Sequence, residues 1–261
     1  MSQSSVGDSC RIPVASKQEA KPVEQDVIDA LLKRQSSKGG FDSQRKVDAE
    51  SLGLILEAAR WTPTAHNMQN FEIVVVDDRD VLAELGRIKG APLTETYLRE
   101  HLATLSFSEE ELLNKKTGLL GMSAPQTWRD PSMFAQAIRD SPPSPLAGAM
   151  KGCPTLLVVT YDPSKRAPAS EADFLGVVSL GCLMENVWIA ANALGIGVKI
   201  LSALGEAPVD EEVKRILGVP AGMKVAFGIC LGYPAAPPGK NLRVRRDLKD
   251  VAYHNRYGSA L

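Results

Sequence analysis

Three short stretches of this chain carry more charged and hydrogen-bonding groups than local folding requires. In RQSSKGGF, residues 34–41, Arg34 and Lys38 flank the hydroxyls of Ser36 and Ser37. Guanidinium and ammonium donors beside hydroxyls suit a phosphate, because charge-assisted hydrogen bonds are the strong ones. The same stretch also reads as a helix C-terminus, with basic side chains offsetting the dipole and glycines ending the turn. In RVRRD, Arg243 and Arg245 stand two apart, so an extended backbone points them the same way, toward one anion. A solvated surface charge run is the commoner meaning of such a pattern. The third stretch, WTPTAHNMQNFEIVVV from Trp61, places Thr62, Thr64, His66, Asn67, Gln69 and Asn70 just ahead of an apolar run. It reads either as a loop that satisfies its own backbone or as a loop at a strand end that meets a ligand.

Other chemistries lack their sequence marks. GIGVKI holds Gly195 and Gly197 without the third glycine of a dinucleotide fingerprint, and neither a phosphate-binding G-x-x-x-x-G-K-[ST] nor a G-x-S-x-G occurs. His66, His101 and His254 show no metal spacing. Cys10, Cys153, Cys182 and Cys230 form no C-x-x-C pair, and three of them stand in apolar surroundings. They read as small core residues in a reducing compartment. Lys+Arg 30 against Asp+Glu 31 gives no excess charge to draw nucleic acid or an acidic membrane.

These groups need elements to position them. The 261 residues suffice for a large core. Residues 1–22 read as a disordered arm without an apolar signal segment, and 23–258 as one domain. Val23, Val27, Ile28, Leu31 and Leu32 fall at helical spacing, as do Leu52, Ile55, Leu56 and Ala59. FEIVVV, CPTLLVVTY and MKVAFGICLG read as buried strands, with a shorter one in GIGVKIL. The apolar run 171–194 is interrupted by Glu185, Asn186 and Asn192, so it reads as a buried helix and not a membrane span. Ser170 and Asp173 resemble a capping box at its start. Residues 91–150 open with one long amphipathic helical segment, then break at five prolines, and read as an insertion or lid. Trp128, Tyr97, Phe107 and Phe134 lie there; each could face an aromatic substrate, with core packing the commoner use, and His101 reads as a surface residue. The alternation of strands and helices predicts an α/β or α+β architecture with a central sheet.

Taken in order, RQSSK, ARWTPTAHNMQNFEIVVV, the helix DFLGVVSLG with ENVWIAANALGIG, ILGVP with GICLGYP, and the R-x-R tail resemble the FMN-dependent nitroreductase family. The resemblance covers most of 23–258 and excludes 91–150. It implies an α+β, three-layer fold with a central mixed sheet surrounded by helices. It also implies an intertwined, cytoplasmic homodimer with two FMN sites at the interface. By that resemblance Arg34, Gln35, Ser36 and Lys38 form the basic motif, with Lys38 at the flavin N1/O2 edge, and Arg243 and Arg245 complete the phosphate grip. Pro63, Thr64, Ala65, His66, Asn67 and Gln69 would reach the flavin from the partner, and Leu201, Ser202, Ala203, Leu204 and Gly205 would approach its ring. Thr64 replaces a frequent serine, Asn70 a frequent proline and Gln35 a frequent basic residue. The implied activity is NAD(P)H-dependent reduction of nitroaromatics, quinones or similar small electron acceptors by ping-pong hydride transfer. Reductive dehalogenation, oxygen-dependent flavin chemistry and a non-catalytic flavin-binding role remain the alternatives, with a non-flavin α/β binding protein if the two basic clusters lie far apart in space.

Overall fold

A computed structural model describes residues 22–144, 146–236 and 242–261. The expected N-terminal arm lies outside the described residues, apart from Pro22, which opens the first helix. The chain runs through α1 (Pro22–Lys33), α2 (Ala49–Arg60), β1 (Phe71–Val76) and α3 (Arg79–Leu85). It continues with α4 (Glu95–Ala103), β2 (Leu105–Ser106), α5 (Glu109–Lys115), β3 (Leu119–Leu120), α6 (Gln126–Arg129), α7 (Phe134–Arg139) and α8 (Ala147–Lys151). Last come β4 (Thr155–Tyr161), α9 (Phe174–Ala193), β5 (Gly197–Leu201), α10 (Ala207–Leu217) and β6 (Lys224–Gly232).

The central sheet has the order β1-β4-β6-β5. Its middle strand β4 is buried along its whole length, which is why TLLVVTY lacks a polar alternate. Side chains alternate across it. Leu156 and Val158 face a core shared with Leu82, Leu85, Met150 and Val213, while Leu157 and Val159 face Ile55, Leu183, Val187 and Ala191. Helices therefore cover both faces, α3, α8 and α10 on one and α2 and α9 on the other, and the three-layer α+β architecture follows. All pairings within this four-stranded sheet are antiparallel. Parallel pairing occurs in the small β2–β3 sheet, so the two directions expected of one mixed sheet fall in separate sheets.

Four expectations change. The helix expected over 171–194 begins at Phe174, because the capping box does not form: the Ser170 hydroxyl accepts from the Leu175 N–H (3.2 Å), and Asp173 accepts from the Tyr161 hydroxyl (3.2 Å). The long helical segment expected after residue 91 is two helices. Ser108 caps α5 by accepting from the Glu111 N–H (3.0 Å), and Glu111 accepts in turn from the Phe107 N–H (2.7 Å), which starts a new helix there. The apolar stripe of α1 is not buried in the single chain: Val27, Ile28, Leu31 and Leu32 are exposed, as are Phe174, Val177 and Val178 of α9. Finally, Cys153 and Cys230 are buried as expected but are joined in a disulfide, with Cα atoms 5.6 Å apart, which departs from the expectation of unpaired core thiols in a reducing compartment. The two belong to neighbouring chain paths, just before β4 and within β6, which is why sequence spacing hides them. Cys182 is free, and Cys10 lies outside the described residues.

Candidate cofactor site

The basic motif leaves α1 and is laid along the outer edge of β5. The Ser37 N–H donates to the Val198 carbonyl (2.9 Å), and the Val198 N–H donates to the Ser37 hydroxyl (3.0 Å). Further on, the Asp42 N–H donates to the Tyr233 carbonyl (2.9 Å) and the Ala235 N–H to the Gly40 carbonyl (3.0 Å). The segment 35–42 is thus tied to one end of the sheet. Gly197 is required there, since a Cβ would sit 2.5 Å from the Ser37 hydroxyl oxygen.

One face of α9 supports the motif from beneath. Glu185 pairs with the Arg34 guanidinium at 3.2 Å, and that guanidinium lies 4.4 Å from the centre of the Trp188 ring. The Trp188 indole N–H donates to the Gln35 carbonyl (3.1 Å), and the Gln35 N–H donates to the Asn192 side-chain oxygen (2.9 Å). Residues 185, 188 and 192 are three and four apart, the spacing that stacks side chains on one helix face. Sequence reading singled out none of the three for this role. Their signal was present, because they stand at helical spacing within an otherwise apolar helix, but it registered only as an interruption of that run.

The second basic cluster arrives at the same place. The Arg243 guanidinium donates to the Arg34 carbonyl (2.9 Å) across a separation of 209 residues. Arg245 is exposed on the same tail, and Lys38 is exposed beside the motif. A cavity of about 750 Å³ is walled by residues of 33–40, with Asn192, Gly195 and Pro234 opposite. That volume falls within the roughly 300–1,000 Å³ usual for small-molecule sites. Converging cations, hydroxyls and an open cavity fit a ligand bearing a phosphate, as FMN does. Arg34 is not wholly free for it, because Glu185 shares its charge.

The loop after α2 is held in an uncommon shape. His66 (φ 52°), Asn67 (φ 52°) and Gln69 (φ 45°) all adopt the left-handed region, which costs a non-glycine residue about 1 kcal/mol or more each. Thr64 offsets this by accepting from the Gln69 N–H through its hydroxyl (3.1 Å) and from the Asn67 N–H through its carbonyl (2.9 Å). The Ala65 N–H donates to the Ser179 hydroxyl on α9 (3.2 Å). Pro63, His66, Asn67 and Gln69 are left exposed, with the Gln69 amide donating to the Asn67 side-chain oxygen (3.2 Å).

This loop does not meet the basic motif within one chain. Its anchor Ser179 lies nine residues before Trp188 on α9, about two and a half turns, so the two contacts fall on opposite sides of the helix and about 14 Å apart along it. The segment 201–205 is also displaced from Ser37, by the length of β5. Ser202–Gly205 form a 3₁₀ turn pressed against β6, where a Cβ at Gly205 would lie 2.6 Å from the Ala226 carbonyl oxygen. Leu204 is fully buried in the core, so only its backbone is available to a ligand. Leu201 and Ala203 are partly buried and Ser202 is exposed.

In 91–150, Leu98, Phe134 and Ala137 form a small separate cluster, while Leu146 and Met150 join the core of the sheet. His101 is not an isolated surface residue: its ring stacks on Tyr97 (6.1 Å) and meets the Trp128 edge (5.5 Å). Tyr97 and Phe107 stay exposed.

Comparison with known proteins agrees with this architecture. The model of the nitroreductase family matches residues 31–233. The chain belongs to that family. It is 30% identical over 98 residues to an NADPH-flavin oxidoreductase of Vibrio harveyi, a match that covers 38% of this chain and 39% of that protein's length. It is 21% identical over 234 residues to an NADPH-dependent oxidoreductase of Staphylococcus haemolyticus, covering 90% of this chain and 75% of the relative. Among solved structures, an FMN-dependent nitroreductase from Clostridium difficile superposes with a TM-score of 0.55 at 18% identity, covering 88% of this chain and 99% of that one.

Proposed function

We propose that this member of the nitroreductase family is an FMN-dependent NAD(P)H oxidoreductase that reduces nitroaromatics, quinones or similar electron-poor small molecules, and that it works as a cytoplasmic homodimer. The observation that carries this reading is the contact of the Arg243 guanidinium with the Arg34 carbonyl, which brings the C-terminal basic cluster to the basic motif that walls the cavity. Arg34, Ser36, Arg243 and Arg245 hold the phosphate. Gln35 offers its side chain, while its backbone is fixed by Trp188 and Asn192. Lys38 sets a fixed cation at the flavin N1/O2 edge, where it stabilises negative charge in the reduced ring. FMN, when bound, supplies the hydride chemistry, with nicotinamide and acceptor taking turns at one face.

A second copy supplies the rest of the site. Thr64, Asn67 and Gln69 present polar groups on a loop that cannot reach its own chain's motif, and Pro63, Ala65 and His66 set that loop's shape. The exposed apolar residues of α1 and α9 provide the surface on which the copies join, since contiguous apolar patches of this kind mark association. Leu201–Gly205 bring backbone groups toward the ring, and 91–150 close over it as a lid.

Adding FMN to the purified chain tests this reading. We expect flavin absorbance to stay with the protein through desalting, and the bound flavin to bleach on anaerobic addition of NADPH or NADH. It should then recover its colour with a quinone or nitroaromatic, giving parallel-line kinetics. A colourless protein that takes up no FMN overturns the proposal. Bound flavin that neither nicotinamide reduces leaves a binding protein without turnover.

A further inference from the structure

The C-terminal tail touches two parts of the molecule that lie far apart in sequence. At Arg243 it meets the basic motif. Four residues later, Asp247 pairs with Lys116 at 2.6 Å. Lys116 lies in 91–150, the region without counterpart in the family resemblance.

Both partners of this pair are held in place. Lys116 ends α5 in the left-handed region (φ 54°), with its N–H donating to the Leu112 carbonyl (2.9 Å), and Gly118 follows at φ 86°. The Leu119 N–H then donates to the Thr104 carbonyl (2.9 Å) and closes the turn. Only glycine fits at 118, since a Cβ would collide with the Thr104 carbonyl oxygen. On the tail, the Asp250 N–H donates to the Asp247 carbonyl (2.9 Å), and the Arg246 guanidinium donates to the Asp250 carbonyl. Four residues of extended chain span at most about 14 Å. The Asp247 backbone is therefore within that distance of the Arg243 backbone, and the Lys116 side chain reaches Asp247 from the turn at 116–118.

We infer that Asp247 and Lys116 are positioning residues that couple the 91–150 region to occupancy of the phosphate site through the tail. This rests on the FMN assignment above. A phosphate engaging Arg243 and Arg245 restrains the tail further, and through Asp247 it restrains the turn at Lys116. Coupling of this kind is reciprocal: whatever factor FMN contributes to closing the region, closure returns to FMN affinity. The pair is solvent-exposed, which limits its effect to a factor of about five at most. It also makes the coupling sensitive to salt, because the screening length falls to about 3 Å at 1 M.

Hydrogen exchange of the amides in 104–122, with and without saturating FMN, tests the inference. In the wild type we expect FMN to slow exchange there about three- to fivefold in low salt and to lose that effect in 1 M NaCl. Asp247→Asn should cut the protection below about 1.5-fold, and the reversed pair Lys116→Asp with Asp247→Lys should restore it. The KM for the acceptor should rise in Asp247→Asn while kcat holds. Equal protection in wild type and Asp247→Asn, or FMN uptake that leaves 104–122 unaffected, overturns the coupling while the cofactor assignment stands. A chain that binds no FMN overturns both.

Discussion

Replacing Arg243 and Arg245 together by alanine raises the FMN dissociation constant by about 100-fold or more. Each arginine offers charge-assisted hydrogen bonds to a phosphate, worth about 1.5 kcal/mol or more apiece. Two such losses exceed the roughly 1.4 kcal/mol that separates each factor of ten. Arg243 acts twice, because it also fixes the Arg34 carbonyl and so the path of the motif. The measurement is a fluorescence titration of FMN at two salt concentrations. The variant should lose affinity and also show a shallower salt dependence, since fewer cations meet the phosphate. His101→Ala, whose ring lies among Tyr97 and Trp128 in the 91–150 region, should leave the constant within about twofold. Equal affinities for the double variant and His101→Ala would move the phosphate elsewhere.

Trp188→Ala has the largest expected effect on the fold and on the site at once. The indole, partly buried, packs against the core beneath Arg34 and donates to the Gln35 carbonyl. Removing it leaves a cavity and an unpaired carbonyl, for a loss of about 3 kcal/mol in unfolding free energy. Trp188→Phe keeps most of the packing and the ring face but drops the hydrogen bond, so it should lose only about 1 kcal/mol. Urea unfolding of both variants checks the stability order, and FMN titration of the folded fraction checks the site. The account expects Trp188→Ala to weaken FMN more than Trp188→Phe. If both bind FMN like the wild type, α9 does not organise the motif.

The sequence makes some of this molecule plain and hides other parts for identifiable reasons. The four central strands are legible because burial on both faces of β4 and β6 leaves uninterrupted apolar runs. The basic motif, the R-x-R pair and the polar loop are legible as residue types, since each holds more polar groups than its local structure uses. Their relation is not. Arg243 and Arg34 come together only because the tail returns to the end of α1, and no local pattern encodes that return. Glu185, Trp188 and Asn192 are hidden for a different reason: hydrophobic periodicity reads α9 as one apolar cylinder, and a supporting face appears only when its occupant is in place. The disulfide follows the same rule, since Cys153, just before β4, meets Cys230 of β6 because those two strands pair, and not through spacing. The residue identities place the start of α9 three residues too early, because Ser170 and Asp173, which suit a cap, bond elsewhere.

The central claim is that the cofactor site is shared between two chains, with the phosphate grip on one and the Thr64–Gln69 loop on the other. The most direct test is a mixed dimer purified through two different tags. One chain carries Arg243→Ala with Arg245→Ala, and the other carries Asn67→Ala with Gln69→Ala. Each variant alone should bind FMN weakly. In the mixed dimer a shared site places both lesions together and leaves the second site intact, so the account predicts one tightly bound FMN per dimer. A mixed dimer with no tight site would mean that each chain builds its site alone, and would contradict the account.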